Sequence, residues 1–302
     1  MTKRFEVYDN RFLEILRPDS RLEPICWGMI WAEGPVYFAE DDSLLWSDIP
    51  NNRMLRWSPK DGMTVYRQPA NFTNGHYRDL QGRLISCEHG GRRVSRTEPD
   101  GTVITLVDNY QGKKLNSPND LVVKSDGKIW FTDPPYGIML PDEGYHGICE
   151  VGGNFVYRFD PENGDLTLVA DDLEKPNGLA FSPDEGTFYV ADSAGSHDPF
   201  GNHHVRAYDV VDGKRLSNSR IFATINPGIP DGFRVDRNGY LYISSWDSIQ
   251  VYSAGGELLG KIMVPEKIAN CTFGGANKDR LFIAASTSIY AIYLNTMGIQ
   301  KP

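Results

Sequence analysis

SLLWSDIPNNRMLRWSPKDGMTVYR, running from Ser43 to Arg67, alternates short β-rich stretches with polar breaks and contains Asp61-Gly62, a pair that accepts the positive φ of a tight hairpin. It reads as strand, loop, strand, turn, strand. The same grammar returns in GRLISCEHGGRRVSRTEPDGTVITLV from Gly82 and GYLYISSWDSIQVYSAGGELLGKIMV from Gly239. Further turn pairs stand at Asp100-Gly101, Asn163-Gly164, Asp212-Gly213 and Gly255-Gly256.

A second, shorter signature precedes one strand of every unit: Glu33-Gly34, Asn74-Gly75, Asn119-Asp120, Asn177-Gly178, Asp231-Gly232 and Asn270-Cys271. The intervals are 41, 45, 58, 54 and 39 residues. Propeller blades of four strands run to roughly this length, and two blades then carry insertions. The expected fold is all-β, a six-bladed β-propeller with four-stranded antiparallel blades. Residues 1–302 are read as one unit, with 1–20 as an N-terminal extension and 21–302 as the propeller. No stretch after Pro18 keeps a helical apolar period, and Asn10 to Leu16 is expected to make a short helical turn. The last clear strand, SIYAIYLN from Ser288, leaves its blade one strand short, so Leu22 to Trp27 is expected to supply the missing outer strand and close the ring.

The innermost strands of a propeller line its central channel, so equivalent first residues converge on the axis. Here every such residue bears a side-chain oxygen. Asn-Gly and Asp-Gly are also common turn pairs, so any single signature is explained by turn chemistry alone. The set is harder to explain that way, since Glu33 is a poor turn former. Carboxylates with amide oxygens, and no thiolate, form a hard donor set suited to Ca2+, Mg2+ or Mn2+, with Zn2+ tolerated. Buried together, Glu33 and Asp231 would be costly without a cation.

Loops that follow the second strands should overhang this end of the channel. They carry His89, Asp133, Tyr136, Asp192 and Trp246, and the insertions Pro134 to Asn154 and Ala194 to His204. His89, Tyr136 and Trp246 are candidate substrate contacts, and His76, two residues into an inner strand, is another. For His89 and Trp246, packing between blades explains the residue as well. Asp133 and Asp192 are expected to support the site from behind its ligands or to bond turns.

A formal charge of -9 argues against a nucleic-acid partner. The N-terminal MTKRFEVYDNRFLEILRPDS has no signal-peptide core, and no long apolar run appears elsewhere. No membrane partner and a cytoplasmic location are therefore expected. Cys26, Cys87, Cys149 and Cys271 are far apart, with no CxxC pair, and are expected to be buried free thiols.

In order, these pieces resemble the senescence marker protein, gluconolactonase and luciferin-regenerating enzyme family of six-bladed propellers. The match rests on WAEGPVYF with LLWSDIPNNRMLRW, LNSPNDLVVKSDGKIWFTDPPYG, KPNGLAFSPDEGTFYVADS and IPDGFRVDRNGYLYI. CEHGGRRV and FTDPPYG resemble the gluconolactonase-like branch. The resemblance implies that Glu33, Asn177 and Asp231 hold one divalent metal, Ca2+ first, with Asn119 completing the site or touching substrate. It implies that Asp231 is the catalytic carboxylate and that a small sugar lactone is the substrate. Animal members carry a substrate-binding arginine where this chain has Ser117, which leaves the sugar open. An esterase or organophosphatase at the same site, or a non-catalytic propeller with a structural ion, are the competing readings. The particular lactone, the physiological metal and the oligomeric state are not legible.

Overall fold

The computed structural model describes residues 4–300; residues 1–3 and 301–302, the ends of the expected unit, lie outside the described residues. Six sheets are arranged as propeller blades, each running from its inner to its outer strand in antiparallel order. The first blade shows the pattern: Ala32–Phe38, Ser43–Asp48, Arg53–Ser58 and Gly62–Arg67. Inner strands are buried on both faces, because they pack between channel and neighbouring blades, whereas Gly62–Arg67 is mostly exposed. Apolar clusters span adjacent blades, for example Trp130 with Phe181 and Phe188, and this packing ties blade three to blade four.

Glu23–Trp27 pairs with Ser288–Tyr293 as the outer strand of the sixth blade, so the chain's two ends close the ring where the expectation placed the joint. The N-terminal segment is more than an extension. Phe5–Val7 adds a fifth strand to the fifth blade beside Leu258–Met263, covering an edge that would otherwise offer unpaired backbone groups. The helix Arg11–Ile15 buries Phe12 and Ile15 in the core between the fifth and sixth blades.

Of the outer turn pairs, Asp212-Gly213 has both residues at positive φ, as a type I′ turn requires. At the other four only the second glycine is left-handed. All four cysteines are free, with Cys26, Cys87 and Cys271 buried and Cys149, against expectation, exposed in the first insertion. Among the described residues no helix is long and apolar enough to cross a membrane.

The inner strands are irregular where the signatures lie. Pairing with the second strand shifts register between Glu33 and Val36, Thr73 and His76, Pro176 and Leu179, and Ile268 and Asn270. In blades three and five regular pairing begins only at Leu121 and Phe233, two residues past Asn119 and Asp231. Such bulges re-aim a side chain that the ladder would hold to one face.

Backbone groups freed by the bulges bond across to the next blade. Ser47 Oγ donates to Asn74 O at 3.0 Å, Gly75 N to Asn119 O at 2.8 Å, and Thr132 Oγ1 to Asn177 O at 2.8 Å. Gly178 N donates to Asp231 O at 3.1 Å and Gly232 N to Ala269 O at 2.7 Å. Asn270 Nδ2 completes the circle with a bond to Glu33 Oε2 at 3.2 Å. The six signatures, together with Ser47, Thr132 and Ala269 beside them, thus form one hydrogen-bonded collar around the axis.

Candidate active site

At the end of the channel where the inner strands begin, a cavity of about 210 Å³ is lined by Glu33, Asn74, Asn119, Asn177 and Asp231. Five of the six collar residues share it. Glu33, Asn74, Asn119 and Asn177 are 3–5% exposed and Asp231 is half-buried.

Three of these residues are fixed by one repeated device. A carboxylate at the end of the second strand accepts the two backbone N–H groups three and two residues before the signature. Asp48 takes Ile30 N and Trp31 N (2.9 and 3.3 Å) ahead of Glu33. Asp133 takes Asn116 N and Ser117 N (2.8 and 2.9 Å) ahead of Asn119. Asp192 takes Glu174 N and Lys175 N (2.9 and 3.0 Å) ahead of Asn177. The turn-bonding role expected of Asp133 and Asp192 is what they perform. In the fifth blade Ser244 Oγ accepts Asp231 N at 2.9 Å.

The sixth collar residue does not reach the cavity. Asn270 Nδ2 lies 3.2 Å from both Glu33 Oε2 and Asp120 Oδ2, and its Oδ1 accepts Cys271 N at 2.8 Å. Its amide is spent on holding the two carboxylates. Glu33 Oε2 also accepts Gly34 N at 2.5 Å. Burial, then the Asp120 charge, raises the Glu33 carboxyl well above the ordinary range, and burial, then Glu33 itself, raises Asp231.

Two candidate substrate contacts stand on the cavity wall. Tyr136 is buried with a hydroxyl that has no protein partner, and Trp246 is half-exposed, with Lys267 Nζ 4.8 Å from its ring centre. Two others do not line it. His76 lies further down the channel, both ring nitrogens 2.8 Å from hydroxyls, of Ser47 and Ser86, and burial depresses its pKa to about 3. It faces a different cavity at the opposite end. His89 sits behind the wall, where burial lowers its pKa to about 4 and keeps it neutral. Its Nδ1–H donates to Glu143 O at 3.1 Å, and its Nε2 accepts the Asn74 amide N–H at 3.3 Å. The Asn74 carbonyl oxygen is left buried and without a protein partner. His89 is thus a positioning residue: replacing it with Leu frees Asn74 to rotate, and the expected result is a roughly tenfold rise in KM, about 1.4 kcal/mol, with kcat little changed. Steady-state kinetics on His89→Leu beside Asn74→Ala check this; a kcat loss without a KM change contradicts it.

Sequence reasoning missed several wall residues. Trp31, Ile229 and Ile268 each lie two residues before a signature and Lys267 three before, so the collar spacing itself could have located them. Glu143, Ser196 and His197 come from the two insertions, where no period applies. Burial, then Asp142, pushes Glu143 up to about 7. Ser117 is spent on the first insertion, its Oγ donating to Pro134 O at 2.6 Å and accepting Gly137 N at 3.0 Å.

The donors suit a hard divalent cation. Among the described residues no three His, Cys, Asp or Glu side chains cluster in a metal-binding arrangement, so any ion here would rely on amide oxygens beside two carboxylates. Around the axis Asp120 stands 3.7 Å from the Arg234 guanidinium, whereas Glu33 and Asp231 form no ion pair among the described residues and Glu143 on the cavity wall acts on both, so a divalent ion would relieve an excess of negative charge. The unpartnered Asn74 oxygen is a further donor of the right kind.

Comparison with known proteins finds gluconolactonases and their relatives among the matches. The gluconolactonase of Zymomonas mobilis is 32% identical over 316 residues, covering 96% of this chain and 86% of its own. The solved structure of a gluconolactonase from Xanthomonas campestris superposes with a TM-score of 0.91 at 40% identity, over 97% of this chain and 95% of that one. Human regucalcin is 26% identical, over 84% and 82% of the two chains. The SMP-30/gluconolactonase/LRE-like region is matched over residues 31–287, and the chain belongs to that family.

Proposed function

We propose that the protein is a divalent-metal-dependent lactonase that hydrolyses a sugar lactone to its hydroxy acid. The reading rests on one observation above others: Glu33, Asn119, Asn177 and Asp231, more than fifty residues apart at each of the last two steps, line one cavity at the open end of the channel. The named gluconolactonase relatives set the substrate class.

In this reading Glu33, Asn177 and Asp231 hold the ion, with Asn119 completing its shell or meeting the substrate. A divalent cation, Ca2+ first, would polarise the lactone carbonyl and make water more acidic. Asp231 takes the proton of the attacking water and returns it to the ring oxygen as the C–O bond opens, so that water is added across the ester. The Trp246 and Trp31 rings offer apolar faces to the C–H side of a sugar. Asn74, Glu143 and Lys267 offer groups that bond hydroxyls.

Chelation tests the metal. Treatment with EDTA is expected to abolish hydrolysis of gluconolactone while the circular dichroism spectrum stays folded, and Ca2+ should restore it. Full activity in the chelated protein refutes metal dependence. A parallel panel of aldonolactones and aryl esters separates a sugar lactonase from a general esterase.

A further inference from the structure

The opposite end of the channel has the reverse electrostatic character. Arg234 lies in the inner strand of blade five, 3% exposed, with Nη1 donating to Phe233 O at 2.8 Å and Nε without a partner among the described residues. It lines a cavity of about 30 Å³ together with Arg78, Lys278, His76 and Gln300, among apolar walls that include Val36, Tyr37 and Phe273. Arg78 is 4% exposed and pairs with Glu40 at the rim. Lys278 Nζ donates to a backbone carbonyl, Gln300 O, at 2.7 Å. Burial, and then the Arg78 charge, holds Lys278 below its ordinary range, as expected where cations converge. The Gln300 side chain is part of the lining, with Nε2 3.2 Å from Thr272 Oγ1 and Oε1 unpartnered among the described residues. Rotating that amide would turn its N–H toward the cavity and let its oxygen accept the Thr272 hydroxyl.

Among the described residues, three cations thus meet Glu40 and Asp120 alone, and one buried donor has no acceptor. A buried guanidinium N–H without an acceptor is costly, because it has lost its water and gained nothing in return. We propose that this cavity binds a small oxyanion, a phosphate or carboxylate group, through Arg234 with Arg78 and Lys278 around it. The volume holds about two waters, close to one such headgroup. A neighbouring groove of about 320 Å³ shares Tyr77, Arg234 and Gln300 and supplies the approach. The site shares no lining residue with the acidic cavity but is linked to its collar through Arg234, whose Nη1 is 3.7 Å from Asp120.

Isothermal titration of EDTA-treated protein with inorganic phosphate, and separately with acetate, tests this, because without a cation the acidic cavity repels both anions. Binding with a Kd no weaker than about 10 mM is expected for at least one titrant, and the stronger titrant identifies the headgroup. Arg234→Met should weaken it at least tenfold. Lys278→Met, at the rim and safe for folding, should weaken it several-fold while leaving gluconolactone turnover of the Ca2+-loaded protein unchanged. No heat from either titrant with the unaltered protein, or equal affinity in Lys278→Met and the unaltered protein, overturns the proposal.

Discussion

Asp231→Asn is expected to cost the protein its turnover and yet raise the melting temperature of its metal-free form. The substitution keeps the shape of the side chain and removes a charge that burial and Glu33 both disfavour. Loss of the general base and of a cation ligand together should lower kcat/KM by about a thousandfold or more. For stability, the sign follows from proton binding. The Asp231 and Glu33 carboxyls titrate higher in the folded chain than in the unfolded one, so the folded state binds more protons between those values. Their penalty is absent below the ordinary carboxylate range and grows as pH rises through the raised one. Metal-free protein should therefore melt higher at pH 5 than at pH 8. Asp231→Asn should flatten that slope and gain on the order of 1–3 kcal/mol at pH 8. Added Ca2+ should stabilise the unaltered protein most at high pH and the variant little. Thermal melts across pH, with EDTA and with Ca2+, read all of this. A variant that melts lower than the unaltered protein at pH 8 in EDTA would refute the burial penalty. One that keeps its turnover would move the base elsewhere, with Glu143 an alternative on the cavity wall.

The collar was legible because one repeat carries it. Fixed spacing in sequence becomes angular spacing around an axis, and the closing strand Glu23–Trp27 followed from the missing partner of Ser288–Tyr293. What spacing could not decide was how far along the axis a side chain sits. His76 is two residues past Asn74, beyond the irregularity in the strand there, and two residues advance the chain about 6–7 Å. That step carries the ring out of one cavity and into the other. Nor could spacing say which oxygen points outward. Asn74 and Asn270 read alike, yet His89 turns the first toward the cavity while Glu33 and Asp120 capture the second. Glu143 and His197 lie in insertions, whose geometry is set by single contacts such as Ser117 to Pro134 and not by the period. The fifth strand Phe5–Val7 was missed for a similar reason, as three residues carry too little pattern to announce a strand.

The glycines of the signatures make the second large effect. At Gly34 the backbone has φ +56°, and an added Cβ would lie 2.0 Å from Asn74 O of the next blade. At Gly178 it would lie 2.3 Å from Asp231 O, and at Gly232 1.9 Å from Asn270 Cγ. These positions are bare because neighbouring blades touch there, and the same contact brings the oxygen-bearing residues within reach of one another. Gly34→Ala must therefore push neighbouring blades apart at the axis, and a loss of about 3–5 kcal/mol or failure to fold is expected. Gly232→Ala should be milder in stability, since it meets a side chain and not backbone. It should be worse for the site, because displacing Asn270 releases Glu33 and Asp120 together. Cation affinity in Gly232→Ala is expected to fall at least tenfold, with a melting temperature above that of Gly34→Ala. Gly101→Ala is the control: its φ is +85° but nothing lies within 4 Å of the new atom, so it should cost only about 1 kcal/mol. Melting curves and Ca2+ titrations on the three variants rank them. If Gly34→Ala melts within a degree or two of Gly101→Ala, left-handed backbone alone explains these glycines, and blade contact is not what draws the collar together.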